Sequence, residues 1–299
     1  MKQAKSMGIA LVQVLIITTI LSLLGLYVTS TSQRHVGLAQ NVKDSFEAKV
    51  LLAQAEAELI HALTTQLRDE SVVTDHEVTK KWNFHGKPFS IDEYTSVVMQ
   101  DYNGLINLNS FDRQLVSIML ANEGLQGSDI QKVVDSLLDW VDVDDAHRLN
   151  GAERQSYSSV GKIGPRNGYF QSLDEVFSVK GTQLVRPSFW YDNFTALPDI
   201  SSLTLTHSTE DILAALIRDD AALGTVLQLR EQRSLNMRNF IAETGVEDDE
   251  SQNFIPGNRL RIKLVTKYGK ESISTRFDVW LNLRSLNKPV YISNRVWNK

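Results

Sequence analysis

The chain has 299 residues, is 42% apolar and 22% charged, carries a formal charge of -5 and contains no cysteine. That size suits about two compact domains. The missing cysteines exclude disulfides, thiol catalysis and cysteine metal sites, and the negative balance argues against wholesale nucleic-acid binding. The histidines His35, His61, His76, His85, His147 and His207 include no H-E-x-x-H pair, and no G-x-S-x-G or G-x-x-x-x-G-K-[ST] occurs, so enzyme chemistry finds no support.

The first element is the uncharged run Ile9–Val28, behind a leader bearing Lys2 and Lys5. About 20 residues of helix cross a bilayer core. The positive-inside rule keeps the two lysines in the cytoplasm and puts the bulk of the chain outside. Hydroxyls of Thr18, Thr19 and Ser22 can bond back to helix carbonyls. Gln13 is costlier and lies near the basic end. A cleavable secretory signal expects small residues after its apolar core, whereas Tyr27, Val28 and Thr29 stand there. The apolar pattern instead continues through Val42, Phe46, Ala48, Leu52, Ala55, Leu59 and Leu63 at spacings of three and four, which predicts one helix over 9–67. Its first half suits lipid and its second half suits protein. A plain anchor with a stalk meets the same description.

Alternation around Gly86 in Trp82–Ile91 predicts a hairpin, Tyr94–Gln100 reads as a strand, and Asn103-Gly104 is a turn signal. Two amphipathic stretches follow, through Leu115, Ile118 and Met119 and then Ile130, Val133, Val134, Leu137, Leu138 and Val141. Ser172-Leu173-Asp174-Glu175 has the capping-box spacing, and Gly181 is a plausible stop. Paired helices with a glycine turn also suit DNA phosphates, but the turn here is flanked by Glu and Asp. Ser208 and Ser234 are candidate N-caps for a second helical group. Glu247-Asp248-Asp249-Glu250 reads as a solvated face. Leu260, Ile262 and Leu264, then Ile273 to Leu283, then Val290 and Ile292, alternate as an antiparallel meander with one buried face. The domain reading is therefore sheet parts at 68–109 and 256–299 with a helical insertion over 110–255. The five tryptophans, Trp82, Trp140, Trp190, Trp280 and Trp297, read as packing residues.

One cluster carries possible metal chemistry. Asp139, Asp142, Asp144, Asp145, Asn150 and Glu153 crowd a short segment. Hard oxygens in a loop suit calcium. Ala146 and His147 break the EF-hand spacing counted from Asp142, so a solvated acidic helix end fits the spacing as well. The carboxylates stand at the C-terminal end of a helix, where the dipole disfavours them and invites a cation.

Several of these stretches resemble the K-type minor pseudopilins of type II secretion. Lys5-Ser6-Met7-Gly8-Ile9-Ala10-Leu11-Val12 looks like a type IV prepilin processing site. Asn103-Gly104-Leu105-Ile106-Asn107-Leu108-Asn109, Leu138-Asp139-Trp140-Val141-Asp142, Asn150-Gly151-Ala152-Glu153 and Ser172-Leu173-Asp174-Glu175-Val176 follow in the family's order. The likeness covers residues 5–180 and fades from 200 onward, where Leu203-Thr204-Leu205-Thr206 departs from the family's pattern. It implies an α+β fold with a pilin-like helix packed on an antiparallel sheet and a large helical insertion. It implies peptidase cleavage between Gly8 and Ile9, methylation of the Ile9 amine, and a single-pass inner-membrane protein with its carboxy-terminal part in the periplasm. Gln13 stands where most pilins carry a glutamate, as in the K-type subfamily, and that implies a place at the pseudopilus tip above I-type and J-type minor pseudopilins. The family also binds calcium near the acidic cluster, which makes Asp142, Asp144, Asp145 and Glu153 the expected ligands. A single-pass periplasmic adaptor that never polymerises is the alternative, and an anchored DNA-uptake protein is a third.

Overall fold

The computed structural model describes residues 7–72, 74–200, 202–246, 252–254 and 256–298. The leader before Met7 and the acidic run 247–250 lie outside the described residues.

Helix α1 runs unbroken over Met7–Thr65, 59 residues or about 90 Å. Proline is absent from it, and its hydroxyls fold back onto carbonyls: Thr19 Oγ1 and Ser22 Oγ donate to Leu15 O and Thr18 O at 2.7 and 2.8 Å. From Ala10 to Val28 every side chain is exposed. From Ala48 onward one stripe is buried: Ala48, Leu52, Ala55, Leu59, Ala62 and Leu63. The alternation of alanine and leucine lets the helix axis approach a sheet closely while still filling the gap.

That sheet has five strands in the order β1 (Phe89–Ser90), β2 (Thr95–Asp101), β7 (Arg259–Tyr268), β8 (Glu271–Leu281) and β9 (Val290–Asn298), all antiparallel. Val97, Met99, Leu260, Ile262, Leu264, Ile273, Phe277 and Val279 turn inward against α1 and form its core with Trp82 and Phe84. Thr95 and Thr266 face each other, their hydroxyls 2.9 Å apart. Arg295 on β9 grips Glu56 on α1 through two bonds of 2.8 and 2.6 Å.

Between β2 and β7 the chain makes β3 (Ile106–Asn107), α2 (Arg113–Asn122), α3 (Gly127–Val141), α4 (Arg154–Ser158), α5 (Pro187–Asn193), β4 (Phe194–Thr195), β5 (Leu203–Thr204), α6 (Glu210–Leu216), α7 (Asp220–Glu231), α8 (Met237–Thr244) and β6 (Gln252–Asn253). β3 pairs with β4 and β5 with β6, both in parallel. Val116, Met119, Leu120, Val133, Val134, Leu137, Trp140, Phe189, Trp190 and Phe194 build a second core, and α6–α8 close a third around Leu213, Val226 and Phe240. The protein is thus α+β: a long amino-terminal helix on an antiparallel sheet, with helices carried between two neighbouring strands.

Three local expectations are corrected, and the turn at Asn103-Gly104 is present as expected. Trp82–Ile91 is not a hairpin. Trp82, Asn83 and Phe84 are all buried, and the chain does not fold back on itself at Gly86: His85 bridges Gln100 and β1 pairs with β2, so the stretch runs alongside that one strand. Asn103-Gly104 closes a 3-10 turn over Tyr102–Gly104, capped by the Asp101 carboxylate. Thr209 and Asn236, not Ser208 and Ser234, are the N-caps of α6 and α8. Ser172 makes no cap bond, because the Glu175 carboxylate is turned to Gln171 N and Arg166.

Candidate functional site

Helix α3 positions the acidic cluster. Asp135 and Asp139 stand one turn apart on its buried face, and Asp142 is its C-cap, with its backbone N–H donating to Leu138 O. The loop that follows returns over this helix end. Gly151 passes so close that a Cβ there would lie 1.9 Å from Asp139 Oδ2, so only glycine admits the crossing. Glu153 then enters just before α4.

The outcome is a three-carboxylate group. One oxygen each of Asp139, Asp142 and Glu153 lies within 4.8 Å of the others. Asp139 is fully buried and Glu153 is 4% exposed. Arg148 N–H bonds both oxygens of Asp139 at 3.3 and 3.1 Å. The Arg148 guanidinium Nη1 donates to Asp139 Oδ1 at 2.6 Å and also to Asp142 Oδ2. Asp142 Oδ1 and both oxygens of Glu153 are buried without a hydrogen bond. Burial, and then the charges of Asp139 and Asp142, push the Glu153 carboxyl up to about 7. An open depression of about 630 Å³, bordered by Asp145, His147, Glu153 and Arg154, leads to the cluster.

Three crowded carboxylates with bare buried oxygens are chemically suited to a hard cation. Calcium takes six to eight oxygens, so carbonyls and water would complete its shell. Of the expected ligands, the structure brings Asp142 and Glu153 together. Asp144 and Asp145 are exposed and engaged elsewhere: Asp144 Oδ1 accepts from Ala146 N at 2.8 Å, and Asp145 Oδ1 accepts from Asn167 Nδ2 at 2.9 Å. Asp139 takes their place. Its signal in the sequence is its helical spacing of three from Asp142. Asn150 serves Asp135, donating to Asp135 Oδ2 at 3.1 Å. No sequence signal marks Arg148.

The second candidate element is the exposed part of α1. Gly8 and Ile9 lie in its first turn, and Gln13 is exposed among apolar neighbours. By length and composition this helix can cross a membrane.

A buried polar joint, separate from the acidic cluster, links the sheet to the helices. The Asp101 carboxylate is fully buried. It accepts from Asn103 N at 2.9 Å and from Gly257 N at 2.7 Å, and meets His207 Nδ1 at 2.7 Å. Glu70 lies 3.8 Å from His85 and 4.0 Å from His207. Burial holds the His85 imidazole below its usual range against the pull of Glu70.

Comparison with known proteins agrees with this architecture. Residues 98–184, from β2 past the acidic cluster, match the family model for type II secretion system (T2SS) protein K. The type II secretion system protein K of Klebsiella pneumoniae is 26% identical over 249 residues, 76% of this chain and 75% of that one. A counterpart in Escherichia coli strain K12 is 24% identical over 193 residues, and the match spans 58% of this chain and 57% of the relative. The fold matches a chain in the crystal structure of the GspK-GspI-GspJ complex from enterotoxigenic Escherichia coli, with TM-score 0.57 and 15% identity over 87% of this chain and 99% of that chain. Sequence motifs, family model and fold converge, and the chain is similar to type II secretion system protein K.

Proposed function

We propose that the chain is a minor pseudopilin of a type II secretion system, held in the inner membrane by the apolar half of α1 with its folded lobes in the periplasm. One observation carries the reading. α1 is a single helix whose first half exposes apolar side chains on all sides and whose second half supplies a core stripe to the sheet. A lipid-facing segment joined rigidly to a folded lobe serves as an anchor before assembly and as a helix–helix contact after it. Prepilin peptidase then cuts between Gly8 and Ile9, and the new Ile9 amine is methylated.

Gln13 supports a place at the tip. It has no charge with which to pair the amine of a subunit above, so nothing in the helix asks for one. The structural relative is solved with I and J subunits, which makes I-type and J-type minor pseudopilins the expected partners here. The Asp139, Asp142 and Glu153 group holds calcium as a structural ion that ties the returning loop to the end of α3. In this reading the chain assists the start of pseudopilus assembly and the export of folded proteins.

The test is the mass and amino-terminal sequence of the full chain expressed in membranes with and without prepilin peptidase. A methylated Ile9 terminus that depends on the peptidase is expected, followed by co-purification with I-type and J-type subunits. An uncut chain beside a cleaved control overturns the pilin reading and leaves a plain anchored adaptor.

A further inference from the structure

The acidic group contains a cation of its own, and its placement is informative. Arg148 Nη1 takes Asp139 Oδ1 and Asp142 Oδ2, while its backbone N–H holds Asp139 from the other side. The oxygens left bare are Asp142 Oδ1 and the two of Glu153, and these are buried. The guanidinium therefore bridges two of the three acids on one side and leaves the third, nine-tenths buried, aimed into the group without a partner. Three ionised carboxylates and one guanidinium sum to a formal charge of -2.

We propose that Arg148 is a positioning residue for the cation site, which fixes the carboxylates of Asp139 and Asp142 beside Glu153, leaves Asp142 Oδ1 bare, and sets the charge of the site to match a divalent ion. The inference rests on the calcium reading above and concerns what tunes it. Two physical effects are separable. The bridge from one nitrogen to two carboxylates fixes their orientation, as hydrogen-bonding partners behind metal ligands commonly do. The single positive charge offsets one carboxylate, so the site neutralises a divalent ion and leaves a trivalent ion with one excess charge. Nearby Asp145 and Arg154 contribute charges of opposite sign at the rim and do not change that balance.

The experiment uses the full chain in detergent micelles, with calcium chloride followed by titration calorimetry and terbium chloride followed by luminescence sensitised through Trp140, the neighbour of Asp139. Arg148→Gln removes both bridge and charge. It is expected to weaken calcium by about tenfold, the usual loss on removing a partner behind a ligand, and to move the terbium-to-calcium affinity ratio at least tenfold toward terbium. Arg148→Lys keeps the charge without the planar fork. It is expected to retain the wild-type ratio while calcium still weakens. Circular dichroism of each variant establishes that the helices are intact. An unchanged ratio in Arg148→Gln overturns the charge-matching role, and unchanged calcium affinity in both variants overturns the positioning role. Absence of calcium binding by the wild-type chain together with both variants overturns the cation reading itself, and the inference with it.

Discussion

Gly104 offers the sharpest test of how the sheet and the helices are joined. It closes the 3-10 turn after β2 and packs against the backbone of His207, which precedes α6. A Cβ on Gly104 would lie 2.1 Å from His207 O, 2.5 Å from His207 C and 2.9 Å from Gln100 Nε2. Ordinary contact begins at 3.4 Å, so Gly104→Ala must drive the two backbones apart by about 1.3 Å. The same two segments are bound by Gln100 Nε2 donating to His207 O at 2.9 Å and by the Asp101–His207 contact of 2.7 Å. A displacement of that size breaks both. Overpacking costs about 1–3 kcal/mol, and a lost buried hydrogen bond to a charged group costs about 1.5–3 kcal/mol. The expected total is about 2.5–6 kcal/mol, which lowers the melting temperature by about 5–24 °C at about 2–4 °C per kcal/mol. Urea unfolding of the full chain in micelles, followed by tryptophan fluorescence, measures it. Gly168→Ala is the control, because a Cβ there meets nothing within 4 Å. A loss below about 1 kcal/mol for Gly104→Ala refutes the claim that this glycine holds the joint.

Other outcomes follow from the same structure. Leu59 is fully buried under the sheet whereas Leu23 is exposed; Leu59→Ala is expected to cost about 2–5 kcal/mol, and Leu23→Ala to leave the unfolding midpoint of the lobes unchanged. His85 is held below its usual pKa by burial, opposed by Glu70 and reinforced by Arg230. Its stabilising contribution is present above the ordinary histidine value, about 6.5, and is lost as pH falls through the depressed folded value, because the unfolded chain takes up the proton first. His85→Gln is therefore expected to flatten the fall in melting temperature below about pH 6.5, and an unchanged profile counts against the assignment. Calcium is expected to raise the melting temperature of the wild-type chain, and Glu153→Gln to abolish that shift.

Much of the fold is legible along the chain because it depends on periodicity. The alternation in 260–281 requires one buried sheet face whatever packs on it, whereas Leu283 and Ile292, which continue the pattern, are exposed. The three-and-four spacing from Val42 to Leu63 requires a helix with one buried stripe. The caps of α6 and α8 were off by one or two positions because serine, threonine and asparagine serve alike, and only the backbone conformation decides among them. Trp82–Phe84 misled for a different reason: three successive buried side chains come from a loop tucked under α1, a contact made by residues far apart in sequence.

The acidic site divides in the same way. The chain by itself determined that carboxylates crowd the end of α3, since Asp139 and Asp142 share a helix face by spacing alone. It also determined that the first helix opens with an uncharged run, Ile9–Val28, long and apolar enough to cross a membrane. Which carboxylates converge was decided only in three dimensions. The return of the loop over Gly151 brings Glu153 to Asp139 and sends Asp144 and Asp145 outward, and the reach of Arg148 back across the helix end sets the charge they share. Local periodicity is written residue by residue. The meeting of groups on different segments depends on where a loop crosses, and that is fixed by packing the whole molecule shares.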